Sequence, residues 1–299
     1  PLAHHGYDWW WHSFTAQDAE TGEDKPFFIE FFVCNPALAE EHPTFGQLPE
    51  NRACGKRPSY LMVKAGAWGE DACQLHRFFA WKDVNLHGDA PYRIEAEDCL
   101  AGETVLKGSI DIAPEEAAAH PEWMCDAGKM TWDLTIDKQI AFNVGYGASK
   151  PLRDAEAFAM YWHAEGMKSA YSGTITFNGK RYIVTPEKSY GYADKNWGRD
   201  FTTPWVWLSS NCLKSKKTGK EYITCLSAPD EEDLLDDYIE LKDVKPLYIP
   251  TPEDAKDIRT AGFPIHNNHV EKAISALNAN MMAGSMPMGK EPPETSELR

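Results

Sequence analysis

The chain has 299 residues, of which 42% are hydrophobic and 12% aromatic, enough to bury one large core or two modest ones because the buried fraction rises with length. A formal charge of −16 repels phosphate backbones and acidic membrane surfaces over a Debye length of about 8 Å, so nucleic acid is not an expected partner. The longest apolar stretches, such as Phe27 to Val33, are interrupted by charge and fall short of the roughly 20 residues a membrane helix requires, which predicts a soluble protein without membrane insertion.

From Tyr7 to about Trp207, short runs of alternating or aromatic-rich character are separated by Gly, Pro, Asn and Asp, the pattern of antiparallel strands and an all-β core. The expected strands are Asp8 to Phe14, Phe27 to Cys34, Tyr60 to Val63, Cys73 to Trp81, Tyr92 to Ala96, Leu106 to Ile112, Met130 to Ile136, Gln139 to Gly145 and Tyr171 to Phe177. The last runs through Asn178-Gly179 into Arg181 to Val184; Asn-Gly is a strong hairpin signal because both turn positions need positive φ. Short helices are expected at Pro114 to Ala119, with Pro early and Glu115-Glu116 in its first turn, and at Asp154 to Tyr161. Beyond Pro229 the character changes: an acidic run from Asp230 to Asp237 reads as a solvated helix face, Thr251-Pro252-Glu253-Asp254 as a helix start, and Val270, Ala273, Ile274, Leu277 and Met281 as one helical face. Met286 to Arg299, rich in Pro, Glu and Ser, reads as a disordered tail.

The seven cysteines are scattered and never spaced as CxxC, which argues against a disulfide framework or structural zinc and favours a reducing cytoplasm. The sequence begins at Pro1 without an apolar leader, which leaves open a leader removed beforehand. His4-His5 and His266/His269 are the only tight histidine pairs, and no metal site is expected from them. The sequence contains no G-x-G-x-x-G after a strand, no P-loop, no H-E-x-x-H and no G-x-S-x-G, so nucleotide and hydrolase chemistry fall away.

Ser189-Tyr190-Gly191-Tyr192-Ala193-Asp194-Lys195-Asn196-Trp197-Gly198 is followed by Trp205-Val206-Trp207-Leu208 and Asn211. This block resembles the signature of the tocopherol cyclase and carotenoid 1,2-hydratase (hydroxyneurosporene synthase) family. Trp9 to Phe14 with Phe27 to Pro36, and Tyr161-Trp162-His163 leading into Gly173, agree with that family in order and spacing. The resemblance implies a mainly β protein built from lipocalin-like antiparallel β-barrels, a ligand pocket between or within them, and cofactor-free acid chemistry on an apolar polyene, prenylated phenol or polyketide. The stretch after the Trp205 strand is short and much of it reads as helix, so the second barrel is expected to be reduced or incomplete, with a C-terminal helical appendage. Residues 1–200 are then the barrel domain, 201–285 a partial second β domain with helices, and 286–299 the tail.

Strand periodicity places Tyr190, Tyr192 and Asp194 on one face. If that face looks into an aromatic cavity, desolvation raises the Asp194 pKa and lets it donate a proton to a double bond, with Tyr192 orienting it. The alternative is an ionised Asp194 paired with Lys195 or Arg199, or capping a turn through Asn196. Glu30 shares a face with Phe28, Phe32 and Cys34, where a carboxyl must be neutral or paired; it reads as a second acid or base, or as a buried partner of Arg77 or Lys82. Asp8, Trp10, His12 and Phe14 share a face, and the unperturbed pKa of His12 suits proton transfer near neutrality, although a lone His among aromatics also serves as a hydrogen-bonded core residue. Tyr161 and His163 share a face with Trp162 opposite. Trp9, Trp10, Trp11, Trp162, Trp197, Trp205 and Trp207 supply electron-rich faces for a cationic intermediate, or simply core.

The sequence therefore predicts a cofactor-independent acid/base enzyme that cyclises, hydrates or isomerises an unsaturated apolar small molecule such as a terpenoid, prenylated phenol or polyketide. Asp194, Tyr192, His163 and Glu30 are the catalytic candidates, and Trp10, His12, Tyr161, Tyr190, Trp197, Trp205 and Trp207 the substrate-binding ones. The alternative is a non-catalytic lipocalin-type protein that binds a hydrophobic ligand. The sequence leaves a homodimer open.

Overall fold

A computed structural model describes residues 6–38, 41–46, 48–69, 71–88, 91–142, 160–199, 205–214 and 221–229, with residue 142 and the last two stretches as backbone only. The chain divides into a first unit, Pro1–Phe142 with Met160–Asp200, and a second, Asn143–Ala159 with Phe201–Arg299.

The first unit is an antiparallel β-barrel. Its strands are β1 (Tyr7–Asp18), β2 (Asp24–Cys34), β3 (Tyr60–Ala67), β4 (Cys73–Phe79), β5 (Val84–His87), β6 (Arg93–Ala96), β7 (Cys99–Gly102), β8 (Val105–Ile112), β9 (Gly128–Phe142), β10 (Met160–Phe177), β11 (Lys180–Val184) and β12 (Gly191–Gly198). Short helices α1 (Pro49–Ala53) and α2 (Pro114–Ala119) join them. The neighbour order is β4-β3-β2-β1-β11-β10-β9-β8-β7-β6-β5, and β12 pairs with both β1 and β10.

Alternation fixes which face turns inward. Trp10, Phe14 and Ala16 of β1 meet Phe27, Ile29, Phe31 and Val33 of β2 and Leu61, Val63, Ala65 and Ala67 of β3 in one buried cluster. Every second residue contributes, as a half-buried strand dictates. Leu106, Ile110, Met130, Trp132, Leu134, Ile175 and Phe177 complete the cluster from the far wall. Side chains bring that wall to β4: Arg77 donates to the Ser109 carbonyl at 3.0 Å and to Asp98 at 2.6 Å and also pairs with Glu97, while Gln74 and Asp126 exchange hydrogen bonds.

The strands lie close to where the sequence places them, except that the strand from Cys73, expected to reach Trp81, ends at Phe79 and Trp81 opens a 3-10 turn, Trp81–Asp83; three larger differences stand out. Met130 to Ile136 and Gln139 to Gly145 were expected as two strands, but Gly128–Phe142 is one, because Asp137-Lys138 continues the ladder opposite Ala170 and Ser169 rather than turning. β10 begins at Met160, so the end of the helix expected over Asp154 to Tyr161 is strand and its beginning lies outside the described residues. The four-residue strands β5 and β7 are too short to show a period. The helix at Pro114–Ala119 stands as expected, with Glu115 and Glu116 in its first turn, and the Asn178-Gly179 hairpin has φ of 46° and 83° at its two turn residues.

One feature of the topology positions the site. β11 pairs with β1 at Gln17 and Asp18 and with the end of β10, whereas β12 pairs with β1 over Tyr7 to Ser13 and with the start of β10. The two strands thus occupy one lane between β1 and β10, end to end. Thr15 N–H donates to the Ser189 carbonyl at 2.7 Å and ties the joining segment to β1.

In the second unit, β13 (Trp205–Lys214) and β14 (Glu221–Pro229) form an antiparallel pair. The C-terminal helices, the acidic run and the tail expected beyond Pro229 lie outside the described residues. Among the described residues no helix is long and apolar enough to cross a membrane.

Candidate functional site

The site grows from the register of β12 against β1. Tyr192 lies opposite Ser13, Asp194 opposite Trp11, Lys195 opposite Trp10 and Trp197 opposite Asp8. Because successive side chains alternate, Ala193, Lys195 and Trp197 turn to the core face with Asp8, Trp10 and His12. Tyr192, Asp194 and Asn196 turn to the other face with Tyr7, Trp9 and Trp11.

On that second face Asp194 is 7% exposed and accepts three hydrogen bonds. Trp9 Nε1 donates to Oδ1 at 3.1 Å, and Trp162 Nε1 and the Tyr192 hydroxyl donate to Oδ2 at 3.0 Å and 2.8 Å. Burial pushes the carboxyl up; the bonds from Trp162, Tyr192 and Trp9 pull it down, and the charge of Glu165 adds a smaller upward push. It settles at about 6. Each carboxylate oxygen offers two lone pairs, so among the described residues the vacant acceptor position is on Oδ1. That is where a proton would reside.

Three residues of β10 flank this arrangement. Trp162 lies opposite Asn196 and reaches Asp194 from the neighbouring strand, while Tyr161 and His163 lie opposite Trp197 and Lys195 on the core face. Between His163 and Ser169 the register slips twice: three residues of β10 span two of β12 from His163 to Gly166, and again from Gly166 to Ser169. Such bulges bend a strand and re-aim its side chains.

The sequence-predicted residues therefore divide between two faces. Asp194, Tyr192 and Glu30 share the face away from the core. Trp10, His12, Tyr161, His163 and Trp197 share the core face. Tyr190 joins neither: it precedes β12, has φ of 43° and is 46% exposed, so the expected row of Tyr190, Tyr192 and Asp194 is two residues rather than three. Trp205 and Trp207 lie on β13, and their side chains are outside the described residues.

The partners also differ from those expected. Asp194 is not paired with Lys195, because alternation sends the lysine to the opposite face, where it meets Asp8 at 2.8 Å and lies 3.5 Å over the Trp10 ring. Glu30 pairs with Lys64, its direct neighbour on β3, at 3.2 Å, while Arg77 is taken up by Glu97 and Asp98. Burial raises the Glu30 carboxyl even so, against the pull of Lys64. Glu30 and Asp194 both lie opposite Trp11, one on each side, which separates their backbones by about 10 Å at the usual strand spacing. His12 does not keep an unperturbed pKa: burial, then the charge of Lys138, lowers it to about 3. The same two causes, in the same order, lead in lowering His163 to about 4.

Sequence reasoning missed Trp9 and Trp162 as donors to Asp194, Lys64 as the partner of Glu30, and Asp8 with Lys195 as a buried pair. Periodicity had Trp9 and Trp10 on opposite faces; only the β1–β12 register says which of them faces Asp194. Among the described residues no group of three or more His, Cys, Asp or Glu is arranged to hold a metal ion.

Residues 129–229 match the family described as tocopherol cyclase-like, in agreement with the resemblance read from the signature block. No curated protein matches the sequence. Similar solved structures include a putative AttH from Nitrosomonas europaea (14% identity, TM-score 0.36, covering 75% of this chain and 64% of that one) and kievitone hydratase from Nectria haematococca (10%, 0.35, 75% and 61%). CghA is a third (13%, 0.36, 77% and 59%). The chain spans about three fifths of the length of each.

Proposed function

We propose, for a chain whose residues 129–229 form a tocopherol cyclase-like region, that it is an acid/base enzyme acting on an unsaturated apolar small molecule, with Asp194 as the proton donor. The observation that carries this reading is a buried carboxyl with three fixed donors and a pKa of about 6. A general acid works best with a pKa near the working pH. At pH 7 about a tenth of a group with this pKa is protonated, enough to reload between turnovers.

The chemistry balances without an outside oxidant or reductant. The Oδ1 proton passes to one carbon of a C=C bond, whose π electrons form the new C–H bond and leave a cation on the more substituted carbon. An oxygen lone pair then closes the C–O bond: the substrate's own hydroxyl gives cyclisation, water gives hydration. That oxygen returns its proton to Asp194. Loss of a proton from the neighbouring carbon instead moves the double bond. Trp9, Trp162 and Tyr192 hold the carboxylate formed when the proton leaves in fixed orientation, which is the state their hydrogen bonds favour. Indole rings are also good neighbours for a developing cation.

The test uses ortho-prenylated phenols and linear polyenes as a substrate panel in D2O. A cyclised or hydrated product with one carbon-bound deuterium, lost in Asp194→Asn, is the expected result. An equally active Asp194→Asn enzyme would remove Asp194 from this role. A folded wild type that binds the panel but converts none of it would leave a hydrophobic ligand-binding protein instead.

A further inference from the structure

Tyr171 lies in the buried core, on the opposite face of the sheet from Asp194, yet its hydroxyl reaches the strand that carries Asp194. It donates to the Tyr192 carbonyl at 3.2 Å and lies 2.9 Å from His12 Nδ1. Since the one hydroxyl proton goes to the carbonyl, the oxygen accepts from His12 Nδ1–H, and burial keeps that imidazole neutral. The phenol is thus held at both its donor and its acceptor.

The contact falls where β10 and β12 lose register. Tyr192 and Asp194 have register partners on β1, but on β10 they fall within the two register shifts, between His163 and Gly166 and between Gly166 and Ser169. The Tyr171 ring also packs against the start of β12: a Cβ on Gly191 would come within 2.2 Å of its Cδ2. Its backbone N–H donates to Ser189 Oγ at 3.0 Å. Ring, hydroxyl and backbone of one residue therefore fix the segment from Ser189 to Tyr192.

We propose that Tyr171 is a positioning residue for Asp194, holding the Tyr192 backbone across the bulge so that the Tyr192 hydroxyl stays on the carboxylate, with His12 fixing the Tyr171 hydroxyl. This rests on Asp194 being the acid. Loss of the Tyr171 hydroxyl frees the bulged strand, weakens the bond from Tyr192 to Asp194 and thereby disfavours the ionised carboxyl. The charge of Glu165, which acts on both Asp194 and Tyr171, is unaltered in every variant below.

The experiment is a 13C NMR titration of the Asp194 carboxyl in the full chain, assigned by its disappearance in Asp194→Asn. Tyr192→Phe is expected to raise the midpoint by about one pH unit, as loss of a hydrogen bond to the charged form does. Tyr171→Phe, which keeps the ring against Gly191, raises it by about half as much, and the double variant goes no higher than Tyr192→Phe alone. With substrate, Tyr171→Phe moves the descending limb of kcat/KM against pH up by the same half unit and leaves KM within about twofold. An unmoved midpoint in Tyr171→Phe, or an equal shift with and without the Tyr192 hydroxyl, would overturn the proposal. If Tyr171→Phe does not fold, His12→Leu replaces it: a smaller rise supports the proposal and an unchanged midpoint overturns it. The titration needs no turnover, so a wild type inactive on every substrate defeats the assignment of Asp194 as acid, whereas an active enzyme with an unmoved midpoint defeats only the role of Tyr171.

Discussion

Tyr192 donates its hydroxyl to Asp194 Oδ2 at 2.8 Å from two positions earlier on the same strand. Residues at i and i+2 of a strand share a face, so the contact is local in sequence, while the two indoles that complete the cradle come from β1 and β10. Burial drives the carboxyl toward neutrality, the three donors drive it toward ionisation, and the balance at about 6 gives a group that can hold and release a proton near neutral pH.

Trp162→Phe removes the strongest of the bonds that lower the Asp194 pKa while keeping an aromatic ring. The descending limb of kcat/KM against pH is expected to move up by about one unit, because the protonated form then persists to higher pH. A limb that stays in place would mean that Asp194 does not govern it.

Stability and pH are linked with opposite signs by two buried groups. Folded His12 takes a proton only near pH 3, whereas the unfolded residue does so at 6.5; its contribution is present above 6.5 and is lost as pH falls toward 3. Folded Asp194 takes a proton near 6 against 3.8 when unfolded, so its contribution is present below 3.8 and is lost as pH rises through 6. Between pH 6 and 4 acidification therefore costs stability through His12 and restores some through Asp194. Thermal melts of Asp194→Asn are expected to fall more steeply than wild type across this window; parallel curves would contradict the assigned pKa.

Lys195 and Asp8 form an ion pair in which the side chains are 8% and 0% exposed. Lys195→Met takes the cation from a fully buried carboxylate and is expected to cost about 3–5 kcal/mol. Asp8→Asn added to Lys195→Met recovers most of that loss, since a buried pair replaced as a unit is close to neutral. Urea unfolding of the single and double variants measures both.

Gly191→Ala places a methyl group 2.2 Å from Tyr171 Cδ2 and 2.5 Å from the Ser169 carbonyl oxygen, and Tyr171 is fully buried. Overpacking of this kind costs about 1–3 kcal/mol, and the shift of the ring should carry the Tyr192 carbonyl with it. Chemical denaturation gives the first effect.

Much of the fold was legible because the core is written with period two: Phe27, Ile29, Phe31 and Val33 alternate with Phe28, Glu30 and Phe32, and the hairpin at Asn178-Gly179 announces itself. The site was legible in part. Asp194 with Tyr192 follows from spacing alone, but the sequence does not say that β12 lies between β1 and β10, and that placement brings Trp9 and Trp162 to Asp194. Nor does it reveal the two bulges in β10, so the side-chain faces around His163 and Tyr171 could not be joined to that of β12 by counting. Tyr190 misled for a local reason: the strand starts one residue later, after a left-handed residue that counting in twos passes over. Glu30 was rightly suspected of needing a partner; which cation answers it depends on the β2–β3 register, and that register puts Lys64 directly opposite.

The most direct test of Asp194 as the acid is to measure, on one preparation, the carbon NMR titration of its carboxyl and the pH dependence of kcat/KM for a prenylated phenol. A carboxyl midpoint at about 6 that coincides with the fall in rate, together with loss of turnover in Asp194→Asn, is the predicted result. A midpoint in the ordinary carboxylate range, or a rate that passes through pH 6 unchanged, would contradict it.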